Sequence, residues 1–252
     1  MNIFKRDIDN NDASIHVDKI PASREMHSGK IMLLALLCMP FLTPLAVFSA
    51  NRIAVAVNGD SNDCMKVGGK CHGGYVYCLG KNCPSLPAGK TGGIIAPTDL
   101  ITSDTTGWQV DTNHDGLAWG GYKSEVGVGA QNDNNGLNNT STIYTALTAQ
   151  GIIAKTYAAG ICHIYTGPNG TDRAGTWYLP AINELMQIQR NVIPLNTAGA
   201  QFSDWGNANG YYWSSTESDA YDASILSFTY SDSEPNISPK AASAAVRCVK
   251  AF

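Results

Sequence analysis

Hydrophobic and polar positions change rhythm several times along this 252-residue chain. Residues 31–50 (IMLLALLCMPFLTPLAVFSA) carry no charge and are long enough to span a bilayer, although Pro40 and Pro44 interrupt a straight helix. Ile143, Ala146 and Leu147 recur at three- and four-residue spacing and predict a helix, with Thr140 to Thr142 as N-caps and Gly151 as its end. Pro180 opens a second helix, in which Ile182, Leu185, Met186 and Gln189 share a face. Glu184 stands near its N-terminus, where a carboxylate is favourable. After Pro194 the rhythm becomes strand and loop. Residues 223–230 (ASILSFTY) and 244–251 (AAVRCVKA) alternate with period two. Leu226, Phe228 and Tyr230 share one face, while Val246 and Cys248 look away from Arg247 and Val249. A short strand is expected at residues 92–95 and a polar loop at 131–140.

Read from Met26, the apolar run follows a short basic stretch and precedes Ser49-Ala50-Asn51, which is the layout of a secretory signal. Four segments are therefore expected: 1–25 as an extended n-region or an early start, 26–50 as a signal peptide or signal anchor, 51–90 as a Gly/Cys-rich lead-in, and 91–252 as the main domain. Either fate of the apolar run sends the remainder across the inner membrane, so the membrane is a partner only through this segment. Charged residues are only 15%, and Gly, Asn, Ser and Thr are plentiful, which suits a loop-rich extracellular domain. Beyond Ala50 there are 12 Lys and Arg against 16 Asp and Glu, without a basic stripe. Nucleic-acid binding has no electrostatic footprint.

Six cysteines follow the apolar run: Cys64, Cys71, Cys78, Cys83, Cys162 and Cys248. An even number in an exported chain reads as disulfides, with fifteen possible connectivities. The first four crowd into twenty residues that offer little apolar surface to bury, so bridges are expected to order that segment. Cys162 and Cys248 stand apart and are expected to pair. Zinc is the competing reading, but the x6, x6 and x4 spacings do not match paired knuckles.

Three phrases occur in order in the last third: residues 177–185 (WYLPAINEL), 211–218 (YYWSSTES) and 246–252 (VRCVKAF). With 92–99 (GGIIAPTD), 119–122 (WGGY) and 126–132 (VGVGAQN), they resemble the bacterial DUF1566 family, that of the Legionella collagen-like protein C-terminal domain. The resemblance covers residues 92–252. It implies an α+β, C-type-lectin-like fold with a twisted antiparallel sheet, two helices and long loops. Where the family has Ser or Thr after the helix-opening proline this chain has Ala181, so only Glu184 remains of a capping box. No collagen-like tract precedes the domain, and a stalk-held trimer is not implied; the oligomeric state stays open.

Trp177 and Trp213 read as framework, since large aromatics beside Leu, Pro and Val belong to cores. The expected recognition surface is the polar-aromatic material around them: Asp204, Trp205, Asn207, Asn209, Tyr211, Asp219, Tyr221 and Asp222. Aromatics interleaved with Asn, Ser and Gly combine rigid contact area with adaptable hydrogen bonding. Asp111, Asn113 and Asp115, followed by Gly116, match the first half of a calcium loop, although Tyr122 occupies the place of the bidentate Glu and Glu125 comes three residues late. A metal-free Asx turn is the alternative. No nucleophile elbow or zinc-protease motif is present, so an enzyme is not expected. The expectation is an exported binding or adhesion protein that recognises an extracellular glycan, or a host or envelope surface protein. The alternative is a structural subunit or tip element of an envelope or appendage assembly. A formylglycine-generating-like metal enzyme using Cys162 and Cys248 ranks third.

Overall fold

The computed structural model describes residues 63–101, 109–110, 116–124, 128–202, 210–229 and 233–252, all within the unit Val55–Phe252. The expected signal segment lies outside the described residues. Among the described residues no helix is long and apolar enough to cross a membrane.

The chain begins with β1 (Lys70–Cys71), β2 (Gly74–Leu79), β3 (Gly92–Ile95), β4 (Leu100–Ile101), β5 (Gln109–Val110) and β6 (Leu117–Ala118). Among the described residues four helices follow, where two were expected: α1 (Gly136–Ala149), α2 (Ala158–Ile164), α3 (Ile182–Arg190) and α4 (Val192–Ala198). The chain closes with β7 (Tyr211–Glu217), β8 (Asp222–Ser227), β9 (Asn236–Pro239), β10 (Ser243–Ala244) and β11 (Val249–Ala251). Among the described residues all strand pairs are antiparallel: one sheet runs β1-β2-β3-β11, a second runs β7-β8-β9, and β4-β5 and β6-β10 form two-stranded ribbons. The architecture is α+β, with three disulfides joining Cys64 to Cys71, Cys78 to Cys83, and Cys162 to Cys248.

The three phrases explain the core. Trp177, Trp213, Val246 and Cys248 enter one apolar cluster, while their neighbours Tyr178, Tyr212, Ala245 and Val249 enter another. Val76 and Ile94 belong to the first, and Tyr75, Tyr77 and Ile95 to the second. Successive side chains of extended backbone point to opposite faces, so each phrase divides itself between two cores. Strands buried on both faces read as nearly unbroken apolar runs. The expected opposition of Val246 and Cys248 to Arg247 and Val249 is therefore real, but neither side is solvent. Arg247 is fully buried and ion-paired with Asp99, donates to the Ala96 and Gln201 carbonyls, and lies over the Phe202 ring.

Three local expectations are corrected. The α1 N-cap is Asn135, whose side chain accepts from Asn138 N–H at 3.0 Å, so the helix starts before Thr140. Thr140 is buried, and its hydroxyl exchanges hydrogen bonds with the Leu179 backbone. Pro194 does not end the helical region, because it is the third residue of α4, where a missing N–H costs little. Lastly, the segment expected to bury little apolar surface supplies β2, with Tyr75, Val76, Tyr77 and Cys78 all buried between β1 and β3. One bridge starts within this strand at Cys78 and another closes just before it, so pairing and burial order the segment together with the bridges.

Ala181 lacks a capping oxygen, and tertiary partners replace it. Ile182 N–H donates to Thr216 Oγ1 at 3.0 Å, and Asn183 N–H donates to the Asp133 carbonyl at 2.9 Å. Glu184 reaches back to accept from Ala181 N–H at 2.9 Å and accepts from Gly136 N–H at 3.0 Å through the same oxygen. One carboxylate thus serves the first turns of two helices. Strand β9 leaves its outer side open, yet Pro239 has no N–H to offer and Ile237 N–H is taken by the Asn236 side chain at 2.8 Å.

Candidate recognition tip

Strands β7 and β8 are joined by a tight turn at residues 218–221. Asp219 builds it: Oδ1 accepts from Tyr221 N–H and Asp222 N–H, both at 2.8 Å. These bonds hold its carboxyl below the ordinary range. The turn lifts Tyr221 into solvent, where it is 51% exposed. Tyr122, 48% exposed, meets it edge-on with ring centroids 5.8 Å apart. The Lys123 ammonium lies 5.6 Å from the Tyr122 ring.

Tyr122 is presented by a strained turn. Gly120, Gly121 and Lys123 all have positive φ, at 98°, 64° and 65°, and Lys123 is not a glycine. A Cβ on Gly120 would stand 2.8 Å from Tyr157 Cβ, so side chains are excluded there. Strained backbone of this kind tends to gather at ligand-contacting segments.

Lys240 joins the two turns from below. Its N–H donates to the Tyr221 carbonyl at 2.8 Å, and its own carbonyl accepts from Trp119 N–H at 3.0 Å. The fully buried ammonium pairs with Glu217 at 2.5 Å, donates to the Ser124 carbonyl at 3.4 Å, and sits 4.8 Å from the Trp119 ring. Trp119 donates in turn to the Ser214 carbonyl at 2.8 Å. One buried lysine therefore fixes both tyrosine-bearing turns against β7. Sequence periodicity carries no signal for it, because Lys240 follows the edge strand in a polar stretch.

Of the eight expected recognition residues, Asp219, Tyr221 and Asp222 come together at this tip. Tyr211 does not: it is 38% exposed at the opposite end of β7, about 20 Å away at roughly 3.3 Å per residue. Asp204, Trp205, Asn207 and Asn209 lie outside the described residues, as do the calcium candidates Asp111, Asn113 and Asp115. The sequence marks Tyr122 as the end of the WGGY phrase and as a misfit in the calcium loop, and the tip gives it a different place. Trp177 and Trp213 are framework: both are fully buried, with indole N–H groups donating to Asp172 at 2.7 Å and to the Leu117 carbonyl at 2.8 Å. Cys64, Cys71 and His72 cluster within metal-ligand distance, but both sulfurs are spent in one bridge.

Three bridges in one chain are the mark of an oxidising compartment, and hence of an exported protein. No protein-family model matches the chain, and no curated protein matches it. Among solved structures it is similar to a fimbrial protein from Bacteroides ovatus ATCC 8483, at 16% sequence identity and a TM-score of 0.48. The similarity covers 76% of this chain and 46% of that one, so the chain spans less than half the length of the protein it matches.

Proposed function

We propose that this chain is an exported bacterial surface protein that recognises an extracellular glycan with the tip formed by Tyr122, Lys123, Asp219 and Tyr221, on a C-type-lectin-like frame. The observation that carries the reading is the exposed tyrosine pair on turns anchored from within. Two ring faces offer stacking surface to the CH faces of a sugar. The Asp219 carboxylate and Lys123 ammonium offer hydrogen bonds to its hydroxyls. The frame part of the reading is supported by β11 returning beside β3 and by the bridge from α2 to the closing segment. Binding is tested on a glycan array with wild type and the Tyr122→Ala/Tyr221→Ala double variant. A loss of tenfold or more is expected, and undiminished binding by the folded double variant removes this surface from consideration.

A second reading, a subunit or tip element of an envelope or appendage assembly, is favoured by Ile237, which is 58% exposed on edge strand β9. It calls for a stable complex in gently solubilised envelopes that Ile237→Lys dissolves.

A further inference from the structure

A cleft of about 410 Å3 opens on the side of the molecule formed by the start of α1, the end of α2 and the segment before Pro180. That volume falls in the range of small-ligand sites, about 300–1,000 Å3. Its walls are Leu137, Asn138 and Ser141 of α1, His163 of α2, and Pro87 of the loop before β3, while Trp177 lies beneath them, fully buried. Among the described residues no Asp, Glu, Lys or Arg lines it. An uncharged lining of amide, hydroxyl and imidazole groups over an apolar floor does not compensate the desolvation of a charged ligand. It suits a neutral one with many hydroxyls.

His163 is the built part of this wall. Its ring lies flat on Tyr144, with centroids 3.8 Å apart and 18° between planes. On its other side Gly175 approaches so closely that a Cβ would stand 3.2 Å from His163 Cε1, and Gly175 holds φ +81°. Gly175 N–H also donates to the His163 carbonyl at 2.6 Å. The ring is thereby clamped in one orientation. Burial lowers its pKa, so the ring is neutral near pH 7 and presents one donor and one acceptor. The Trp177 N–H is committed to Asp172 and its ring is fully buried against Tyr165, so it supports the cleft from beneath and offers a ligand no face.

We propose that this cleft is a second binding site, independent of the tyrosine tip, that takes one or two units of a neutral saccharide against Leu137 and Pro87, with His163 and Asn138 bonding its hydroxyls. The test is a titration of the exported, fully bridged protein, carried in the Tyr122→Ala/Tyr221→Ala background so that the tip plays no part. The probes are glucose, galactose, mannose, N-acetylglucosamine and their disaccharides, with glucuronate and glucose 6-sulfate as charged counterparts. Binding is followed by NMR at the His163 imidazole and the Leu137 methyls. At least one neutral probe is expected to shift both sets of signals, and its charged counterpart to bind tenfold more weakly or worse. His163→Phe, which keeps the stack on Tyr144, and Ser141→Trp, which obstructs the wall, should each weaken binding tenfold with the fold intact by melting temperature. The proposal is overturned if no neutral probe shifts these signals, if charged probes bind as well, or if both variants bind like the parent.

Discussion

Replacing Glu184 by glutamine should flatten a pH dependence that the wild-type protein carries. The carboxyl is fully buried, and it accepts from Ala181 N–H and Gly136 N–H on one oxygen and from Tyr178 O–H at 3.2 Å on the other. Burial favours the neutral form and the three donors favour the charged one. Burial prevails, and the pKa rises from 4.5 to about 7. Below pH 4.5 the group is protonated in both folded and unfolded chains, and its contribution to stability is fully present. As the pH climbs from 4.5 to 7 the unfolded chain releases this proton first, so stability falls, by about 3 kcal/mol in all. Glutamine keeps an oxygen for the two backbone N–H groups and turns its amide toward the Tyr178 oxygen, which can accept. Urea unfolding of both proteins from pH 4 to 8, followed by fluorescence of the buried Trp119, Trp177 and Trp213 with bridges intact, reads the effect. The wild type should lose about 3 kcal/mol relative to Glu184→Gln over that window. Two stability curves that run parallel would refute the assignment of the raised pKa to this carboxyl.

Two further perturbations address the frame. Cys162→Ser/Cys248→Ser opens a covalent loop of sequence separation 86 and should cost about 4–5 kcal/mol in reversible unfolding, read as a lower denaturant midpoint. Lys240→Met leaves Glu217 buried without its ammonium partner and should cost about 3–5 kcal/mol, whereas Lys240→Met/Glu217→Leu should recover most of that loss. Glycan binding at the tip should remain impaired in the recovered double variant if Lys240 positions the tyrosine turns through its side chain.

Helix α3 was legible because Pro180 and the spacing of Ile182, Leu185 and Gln189 all state the same period. Strand β8 was legible through the alternation ending in Leu226 and Phe228, and the isolated pair Cys162 and Cys248 could be matched by their distance from the cysteine cluster. Helix α1 was misplaced at its start because threonine and asparagine are both good caps, and only tertiary packing assigns Thr140 to the Leu179 backbone. Strand β2 was hidden by its glycines and cysteines, whose composition speaks of loops while its aromatic residues pair against β3. The tip was half legible. Asp219 and Tyr221 belong to one local turn, but Tyr122 and Lys240 join them only through contacts about 100 and 20 residues away in the chain, respectively.

Edge strand β9 bears on how copies of this protein behave when crowded together. A neighbouring chain arriving at that edge meets no free N–H at either Ile237 or Pro239, two of its four positions. Only carbonyls are left to accept there, so main-chain templating is weakened at this edge. An array joined through side chains such as Ile237 should survive gentle solubilisation yet come apart in denaturant, rather than harden into cross-β material.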